Sequence, residues 1–534
     1  MLNISTRSLH PSNIVSVESP HAITMSSDGK IDVEKAPSFG GGQSEVLVGE
    51  VKDIKNADAA LEFLRDGGDI TPMTAEDERL LKRKIDWRIV PLMFACYILQ
   101  YLDKTLINYA NVMGLQSDTN ITGDQYSQLA MIFYVSYLAF EFPHAWGMQR
   151  FPTAKYIGIM VCMWGTVLAT TSACHNWAGL VVTRVLLGVF ESAVAPSLIV
   201  ITTMWYKRQE QPPRMGIWYL GTGGGTIVGS LISFGFQHYH SSGFTSWQIM
   251  FLICGLITIA IGLTVILVLP DNPMSARFLS REEKIWAIER LRSNQTGVEN
   301  KRFKREQAIE CFTDPQTYLL ALITIASNVP NGAVSSFQAT IIKGFGYTSQ
   351  ETALLSIPSG AVSIVSILAA TNVAGRFNQR AINIICLLIP GVIGAALMAF
   401  LPEDNKAGKL IGNYMTNCIG ATLPLLYSLV GANYAGHTKK VTMNATLLIC
   451  FCVGNIIGPL TFTAESAPGY LPAKTAIIVT CGLAMVFTLM LRNYYLWENK
   501  RRDGLVRAGE LSHLKDVEFS DITDRMNKEF RYTL

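Results

Sequence analysis

The sequence predicts an all-α membrane protein with twelve transmembrane helices in two pseudo-symmetric bundles of six, and with both termini in the cytosol. Three observations predict this fold class. The 534 residues are 49% hydrophobic and only 16% charged, which is too apolar for an ordinary soluble protein. The charges concentrate at the two ends, in one central segment and in short loops. Between them lie about twelve apolar runs, each long enough to cross a bilayer.

The chain begins with a polar segment. Residues 1–72 are rich in Ser, Gly and Asp and have no periodic apolar pattern, so we expect a disordered cytosolic tail. They contain no apolar core of a signal peptide, so we expect no cleavage. The next residues predict a short amphipathic helix along the membrane face, because Thr74 can cap it and Asp77 stands at the third position.

The apolar runs fall into two sets of six, which assigns residues 73–270 to a first bundle and 316–497 to a second. Spans one to six lie near 89–111, 126–147, 156–174, 178–205, 215–236 and 247–269. Spans seven to twelve lie near 316–338, 351–371, 382–401, 409–431, 442–463 and 473–495. Residues 271–315 form a polar cytosolic linker with a charged helix from Ser280 to near Arg292, and 498–534 form a cytosolic tail.

Loop charges orient the spans. No Lys or Arg occurs from Thr105 to Gln149, so the loop after span one should face outward. Basic residues follow spans two and four, fill the linker and follow span twelve, which makes both termini cytosolic by the positive-inside rule. In the outward loop, Asn120-Ile121-Thr122 is a candidate for N-glycosylation.

Charged residues inside the spans indicate a path through the membrane. Arg184 and Glu191 lie in an apolar run, where an ionised side chain costs roughly 2.5–3.5 kcal/mol, and their spacing puts them on one helix face. Asp103 and Lys104 lie in span one, and Asp103 should reach about the same depth as Arg184. Two acids and two cations could bind a proton and an anion in turn. A static salt bridge between helices is the alternative.

Three further polar residues are candidates for the transport path. Glu141 lies near the cytosolic end of span two, where a gate or a bond to the basic loop at Arg150 is expected. Asn455 precedes a Gly-Pro pair in span eleven, where freed backbone groups can line a cavity. Asn455 could complete a binding site from the second half, or it could simply join two helices.

The sequence contains no pattern typical of an enzyme or a metalloprotein. The glycines of span five do not follow the spacing of a dinucleotide loop, and at intervals of four Gly221, Gly225 and Gly229 predict close helix packing. The ten cysteines form no CxxC pair, so neither a metal site nor a disulfide framework is expected. We therefore expect no enzymatic activity, no nucleic-acid partner, and no cofactor other than H⁺ as a coupling ion.

Several motifs occur in order on the expected spans. They are Tyr101-Leu102-Asp103-Lys104, Phe140-Glu141-Phe142-Pro143, Arg184-xxx-Gly188-xx-Glu191-xxxx-Pro196, Leu269-Pro270-Asp271-Asn272-Pro273, Gly436-His437-Thr438-Lys439-Lys440 and Asn455-Ile456-Ile457-Gly458-Pro459. With these motifs the chain resembles the major facilitator superfamily, and within it the fungal allantoate permease (anion:cation symporter) family. The resemblance extends from about Glu76 to Trp497.

The resemblance implies alternating access and proton-driven uptake of a small organic anion, such as allantoate, nicotinate or pantothenate. It implies proton coupling at Asp103 and Glu191 and anion binding at Lys104 and Arg184. Many relatives have Arg where Lys104 stands, and an ammonium cannot form the two-pronged contact of a guanidinium. We expect a functional monomer in the lipid bilayer of the plasma membrane or another endomembrane. Export of a fungal secondary metabolite, or nutrient sensing without transport, are the alternatives.

Overall fold

The computed structural model describes residues 73–207, 210–239, 243–292, 304–377, 379–507 and 522–534. The predicted tail over residues 1–72 lies outside this part of the chain. The described residues form helices, short 3₁₀ turns and connecting loops, and no β-strand occurs among them. The all-α prediction is therefore confirmed for these ranges.

The first half and the linker contain eleven helices in the described ranges. They are α1 (Ala75–Met113), α2 (Leu115–Thr119), α3 (Gly123–Arg150), α4 (Thr153–Thr170), α5 (Trp177–Glu191), α6 (Val194–Trp205), α7 (Gln211–Tyr219), α8 (Gly221–Phe236), α9 (Ser246–Val268), α10 (Arg281–Arg292) and α11 (Arg305–Thr313). The second half continues with α12 (Pro315–Gly344), α13 (Ser349–Leu355), α14 (Ile357–Phe377), α15 (Arg380–Phe400), α16 (Lys406–Thr416), α17 (Thr422–Asn433), α18 (His437–Leu460) and α19 (Leu471–Arg507).

Ten helical segments in the described ranges are long and apolar enough to cross a membrane. Helix α3 and the pair α7–α8 occupy the positions of spans two and five but are not among the ten. The chain is thus a multi-pass membrane protein, and the total of twelve spans stays a prediction.

Helix α1 differs from its prediction. Thr74 caps it and exchanges hydrogen bonds with Asp77, as the sequence indicated. However, α1 runs unbroken for 39 residues, without a separate amphipathic segment along the membrane face. The reason is an apolar stripe that continues through the expected boundary, with Leu81, Ile85 and Ile89 all buried at intervals of four.

Span four is broken beside its acid. Helix α5 ends at Glu191 and α6 begins at Val194. Pro196 lies in the first turn of α6 and has no N–H for the carbonyl of Ser192, which interrupts the helix there. In the second half, a 3₁₀ turn over Asn417–Ala421 interrupts span ten in the same way. The two halves therefore share a break in their fourth span.

The glycine stripe of α8 packs against α1, as predicted. A Cβ at Gly221 would lie 3.0 Å from the backbone N of Ile98, and one at Gly225 would lie 2.9 Å from the Ile98 carbonyl oxygen. A Cβ at Gly229 would lie 2.8 Å from Leu102 Cδ1. Each added methyl group would push the two helices apart, so the prediction of close packing is confirmed.

The polar segments pack against the ends of the helices. The linker contains α10 where the sequence predicted a helix, and α11 as an additional one. Arg290 of α10 forms an ion pair with Glu210, and Lys84 of α1 bonds Glu283 of α10 at 2.7 Å. After span twelve, α19 continues to Arg507, and residues 522–534 fold against the second half. Of the segment predicted as a tail, the described residues 498–507 are thus helical and 522–534 are docked.

Candidate functional site

A cavity of about 60 Å³ lies between the two halves. The first half contributes Tyr97, Tyr101, Lys104, Tyr134, Tyr219 and Thr222. The second half contributes a wall of amide, hydroxyl and apolar side chains, which includes Asn331, Ser335, Ser363, Asn417 and Phe451. The cavity has room for a few water molecules, because each needs roughly 10–15 Å³ of accessible volume. The lining combines aromatic rings, neutral polar groups and one cation.

Lys104 lines the cavity and places its ammonium among three aromatic rings, two of which also line it. Its Nζ lies 5.5 Å from the ring centre of Tyr134, 5.8 Å from that of Tyr137 and 5.5 Å from that of Phe451. Phe451 belongs to α18, so the ammonium is held by rings from both halves. Ring faces attract a cation without neutralising its charge, which leaves Lys104 able to bind an anion in the cavity.

Asp103 precedes Lys104 but points about 100° away around α1, into the first half. Its side chain is 1% exposed. The indole Nε1 of Trp164 donates a hydrogen bond to Asp103 Oδ2 at 2.6 Å. Its other oxygen, Oδ1, has no hydrogen-bond partner in the described part of the chain. Sequence reasoning identified Asp103 but missed Trp164, because a Trp inside an apolar run carries no signal of its partner.

Glu191 lies at the break of span four and is fully buried. Neither of its carboxyl oxygens has a hydrogen-bond partner among the described residues. Its backbone carbonyl accepts from Gln100 Nε2 of α1 at 3.4 Å. The charges of Asp103, Lys104 and Arg184 are near enough to act on it. The structure thus brings the four charged residues predicted from the sequence to one region.

Arg184 lies behind the cavity and does not line it. Its side chain is 4% exposed, and its guanidinium carbon lies 5.9 Å from the ring centre of Phe251. No ion pair of 4.0 Å or less joins Arg184 to Asp103, Glu191 or another described carboxylate, although both acids are near enough for their charges to interact. A closed salt bridge between these helices is therefore not formed in this conformation.

Asn455 is fully buried and lies one layer behind the cavity wall. Its Oδ1 accepts from Asn331 Nδ2 at 3.0 Å, and its own Nδ2 donates to the Phe451 carbonyl at 2.8 Å. Asn331 itself lines the cavity. In this conformation Asn331 faces the cavity, and Asn455 holds it in place from behind. The sequence alone could not show which of the two asparagines faces the cavity.

The two gating candidates lie apart on the same helix. Glu141 is buried, with 6% of its side chain exposed, and its charge is near enough to act on Lys104. Arg150 ends α3 and is exposed. Nine residues separate them, which is roughly 13 Å along a helix axis, so they do not contact each other. Asn120, the glycosylation candidate, is exposed between α2 and α3.

Hydrogen bonds tie the two halves together at the end where α1 terminates. Tyr126 donates to the Ser336 carbonyl at 2.9 Å, and Asn111 donates to Thr340 at 3.0 Å. Lys343 donates to the Val112 carbonyl at 3.1 Å. Four more bonds join the same faces: Ala339 N to Asn108, Ser349 to Val112, Ser127 to Phe462 and Ala464 N to Asp124. At the opposite end, charges of the first half bind the linker helix and those of the second half bind the C-terminal peptide.

No group of three or more His, Cys, Asp or Glu side chains in the described ranges could hold a metal ion. The site comprises two buried acids with three carboxyl oxygens that have no hydrogen-bond partner in the described chain, one cation in the cavity, a second cation behind it, and amides on the far wall.

Comparison with protein families gives one match over most of the membrane region. Residues 93–459 match the Major Facilitator Superfamily. The thiamine pathway transporter of Saccharomyces cerevisiae is 38% identical over 498 residues, which cover 90% of this chain and 94% of the relative. The allantoate permease of the same yeast is 36% identical over 491 residues, which cover 89% and 90%. An MFS-type transporter of Penicillium expansum, cnsL, is 33% identical and covers 94% of this chain and 99% of its own.

A solved structure of similar fold is a bacterial homologue of the human lysosomal transporter Spinster in an inward-facing, unoccupied conformation. It superposes with a TM-score of 0.60 and covers 76% of this chain and 97% of its own, at 16% sequence identity. At this identity the likeness concerns the fold alone.

Proposed function

The chain belongs to the major facilitator superfamily, and we propose that it is a proton-coupled symporter that carries a small organic anion into the cell across the plasma membrane. As a member of this family it is a secondary membrane transporter and not an enzyme. The observation that carries the proposal is the position of Glu191 and Asp103. Both are buried carboxyls with free oxygens, and Lys104 lines the cavity beside them.

The two acids supply the proton step. An ionised carboxylate that lacks donors in an apolar site is costly, and protonation removes its charge. Glu191 lacks donors on both oxygens and Asp103 on one, so each has an oxygen ready to accept a proton. Arg184 is near enough to both acids to stabilise whichever one is ionised. In this proposal Glu191 and Asp103 take the coupling proton, and Arg184 balances the charge that remains.

Lys104 supplies the anion step. A substrate carboxylate that binds its ammonium in the cavity weakens the attraction between Lys104 and the nearby Glu191. Glu191 then holds its charge less favourably, so an anion in the cavity favours protonation, and a proton on Glu191 favours the anion. Asn331, positioned by Asn455, offers neutral polar contacts to the other end of the substrate. Mutual preference of this kind is a coupling free energy between the two sites.

Transport would proceed by rocking of two six-helix halves, with twelve spans and both termini in the cytosol. In that orientation the end at which α1 terminates faces outward. The seven hydrogen bonds between the halves at this end close the outer gate. The cavity would then release its contents to the cytosol, and the outward-facing state requires these seven bonds to break.

Uptake of labelled allantoate, nicotinate and pantothenate in a yeast strain that lacks its own carriers tests the proposal. We expect uptake of an accepted anion to rise as external pH falls, and a proton-conducting uncoupler to abolish accumulation. Glu191→Gln should retain counterflow exchange and lose uphill accumulation, while Glu403→Gln, which changes an exposed loop acid, should behave as wild type.

Two results would contradict the proposal. One is uptake of an accepted anion that does not respond to pH or to the uncoupler. The other is uphill accumulation by Glu191→Gln at the wild-type level. Export would be favoured if deletion of the gene trapped a compound inside its native cells and left uptake of all three anions unchanged.

A further inference from the structure

The shortest polar contact at the central acids involves a residue that the proposed mechanism does not use. Trp164 lies on α4, is fully buried, and donates its indole N–H to Asp103 Oδ2 at 2.6 Å. The indole ring has one hydrogen-bond donor and no acceptor, so in this bond Trp164 is always the donor and Asp103 always the acceptor. Trp164 is therefore a fixed donor to an acid that must change its protonation state.

The packing of α4 holds this donor in place. A Cβ at Gly165, the next residue, would lie 2.8 Å from the backbone N of Ile259 on α9. A Cβ at Gly255 of α9 would lie 2.4 Å from the backbone N of Ala169 on α4. Before Trp164, a Cβ at Gly262 of α9 would lie 2.9 Å from the backbone N of Cys162. The two backbones are therefore in close contact on both sides of Trp164, so α4 cannot rotate without a clash. The indole is thus presented to α1 in a preorganised position.

The bond distinguishes the two forms of Asp103. A hydrogen bond to an ionised acceptor is roughly twice as strong as one to a neutral acceptor. The Trp164 bond therefore stabilises the carboxylate more than the acid. Because Oδ2 is occupied by the indole and Oδ1 has no partner in the described chain, Oδ1 is the oxygen that takes the proton.

Other groups also face Asp103 from the surrounding helices. Lys104 lies beside it on α1, Arg184 and Glu191 face it from α5, and Cys254 faces it from α9. Lys104 and Arg184 act on Asp103 through charge, Cys254 is a neighbouring thiol, and the Glu191 carboxyl is close enough to share a hydrogen bond with the Asp103 carboxyl when one of the two is protonated. Trp164 differs from all of them, because its indole N–H donates to Asp103 in either protonation state. The effect of Trp164 is consequently separable by removing one N–H.

We propose that Trp164 is a positioning residue for proton coupling, whose indole N–H limits the affinity of Asp103 for the proton and directs that proton to Oδ1. This inference rests on the proposed function, in which Asp103 is a proton carrier. Without the bond, Asp103 would bind its proton more tightly and would release it to the cytosol only at a higher pH. Trp164 thereby adjusts the pH range over which the transporter works.

The test is an infrared pH titration of the purified full-length protein in lipid nanodiscs. The carboxyl band that Asp103→Asn removes reports the protonation of Asp103. Trp164→Phe should raise its proton affinity about tenfold, which moves the midpoint up by about one pH unit. Benzothienylalanine at position 164 keeps the shape of the ring and replaces N–H by sulfur, so it should give the same shift even if the phenylalanine variant folds poorly.

Trp247→Phe is a matched control. Trp247 is 1% exposed in the same half and donates its Nε1 to Asp118 at 2.8 Å, away from the central acids. It should leave the Asp103 midpoint unchanged. In cells, the pH of half-maximal uptake should rise for the two variants at 164 and stay constant for Trp247→Phe.

An unchanged midpoint in the folded benzothienylalanine variant would overturn the inference, as would an equal shift in Trp247→Phe. The infrared titration needs no substrate. If the midpoint shifts as expected and uptake is nevertheless independent of pH, the role of Trp164 at Asp103 stands and the symport proposal fails.

Discussion

The two halves of the protein both bury charged side chains, but they pair those charges to different degrees. The Lys439 cluster of the second half consists of Lys439, Asp314, Asp524, Glu310 and Gln316. The central acids of the first half are Asp103 and Glu191. All of these side chains except Glu310 are at most 5% exposed. Burial is thus nearly constant in this comparison, and the number of hydrogen-bond partners varies.

In the Lys439 cluster every donor and acceptor of the buried ions is used. The ammonium has three N–H groups and donates to Glu310 at 3.0 Å, to Asp314 at 2.8 Å and to Asp524 at 2.8 Å. Gln316 donates to both aspartates. Asp314 Oδ1 accepts from the backbone N of Gln316, and Asp524 also accepts from the backbone N of Ala435 and from the Tyr532 hydroxyl. Gln316 Oε1 has no partner in the described chain, but the ions of the cluster are saturated, and their hydrogen bonds fix the geometry.

The central acids are left incomplete. Of their four oxygens, only Asp103 Oδ2 has a hydrogen-bond partner within the described chain, and that partner is the Trp164 indole. Nearby cations act on them through charge but form no ion pair of 4.0 Å or less. The difference suggests two uses of buried charge. Saturated ions hold helix ends together, and unsaturated acids can exchange protons because little hydrogen bonding has to be broken.

The largest effect on stability should come from Lys439→Met. It removes the ammonium and leaves two buried aspartates facing each other, which should lower the free energy of unfolding by about 3–5 kcal/mol. Thermal and denaturant unfolding of the purified protein measure it. Lys440→Met removes the neighbouring ammonium, which donates to the Gly431 carbonyl at 2.8 Å, and should cost about 1 kcal/mol or less. Equal losses in the two variants would contradict the saturated role of the cluster.

Asp524→Asn should have an intermediate effect. The substitution removes one carboxylate, but Lys439 keeps Asp314 and Glu310, so we expect a loss of about 1–3 kcal/mol. Asp503→Asn removes a carboxylate that pairs with Arg531 at an exposed site and should be nearly neutral. If Asp524→Asn were equally neutral in unfolding experiments, the bonds of the Asp524 carboxylate to Lys439, Gln316 and Tyr532 would contribute nothing to stability.

Glu191→Gln should change stability little, by about 1 kcal/mol or less, or even raise it. It removes a charge that has no hydrogen-bond partner in the described chain and keeps the volume of the side chain. The same variant is expected to lose uphill accumulation, so function and stability should separate at this residue. Unfolding experiments on Glu191→Gln and Lys439→Met measure the two losses of stability under the same conditions. A loss in Glu191→Gln as large as that in Lys439→Met would contradict the distinction between unsaturated and saturated buried charges.

The sequence predicted the central acids because charge inside an apolar run is costly and hence conspicuous. It also predicted the close packing of the Gly221 stripe, since small residues at intervals of four have one common use. It could not predict which neighbour on α1 faces the cavity. Lys104 lines it and Asp103 is directed into the first half, and this depends on the rotation of α1 against α4 and α8.

The Lys439 cluster was missed for a different reason. Asp524 and Tyr532 come from a polar segment without periodicity, which reads as a tail. They become buried because Asn433 and Asn499 bind the backbone of residues 532–533 through two bonds each. Arg502 also donates to the carbonyls of Asp524 and Phe530. Side chains that cap backbone groups of a distant segment leave no local pattern in a sequence.

The smallest expected effect concerns Lys84 and Glu283, a pair that water reaches. Burial raises the pKa of Glu283, but the bonds from Lys84 at 2.7 Å and from the backbone N of Ser280 outweigh it and hold this pKa below its usual value. A lowered folded-state pKa gives stability that is present above the unfolded value of about 4.3 and is lost as the pH falls through the folded value. Lys84→Met should therefore cost about 0.5 kcal/mol near pH 7 and progressively less below pH 4.

Unfolding of wild type and Lys84→Met at several pH values measures this difference, and added salt should reduce it at pH 7, because exposed charges are screened. Lys155→Met is the control. The Lys155 side chain is 62% exposed and its Nζ lies 4.0 Å from Asp271 Oδ2, so this variant should lose even less stability than Lys84→Met. A difference that grows on acidification would have the wrong sign for a carboxylate held ionised by its partner. Lys84 is exposed to water and Lys439 is fully buried. If Lys84→Met cost as much stability as Lys439→Met, burial would not decide how much an ion pair contributes to stability.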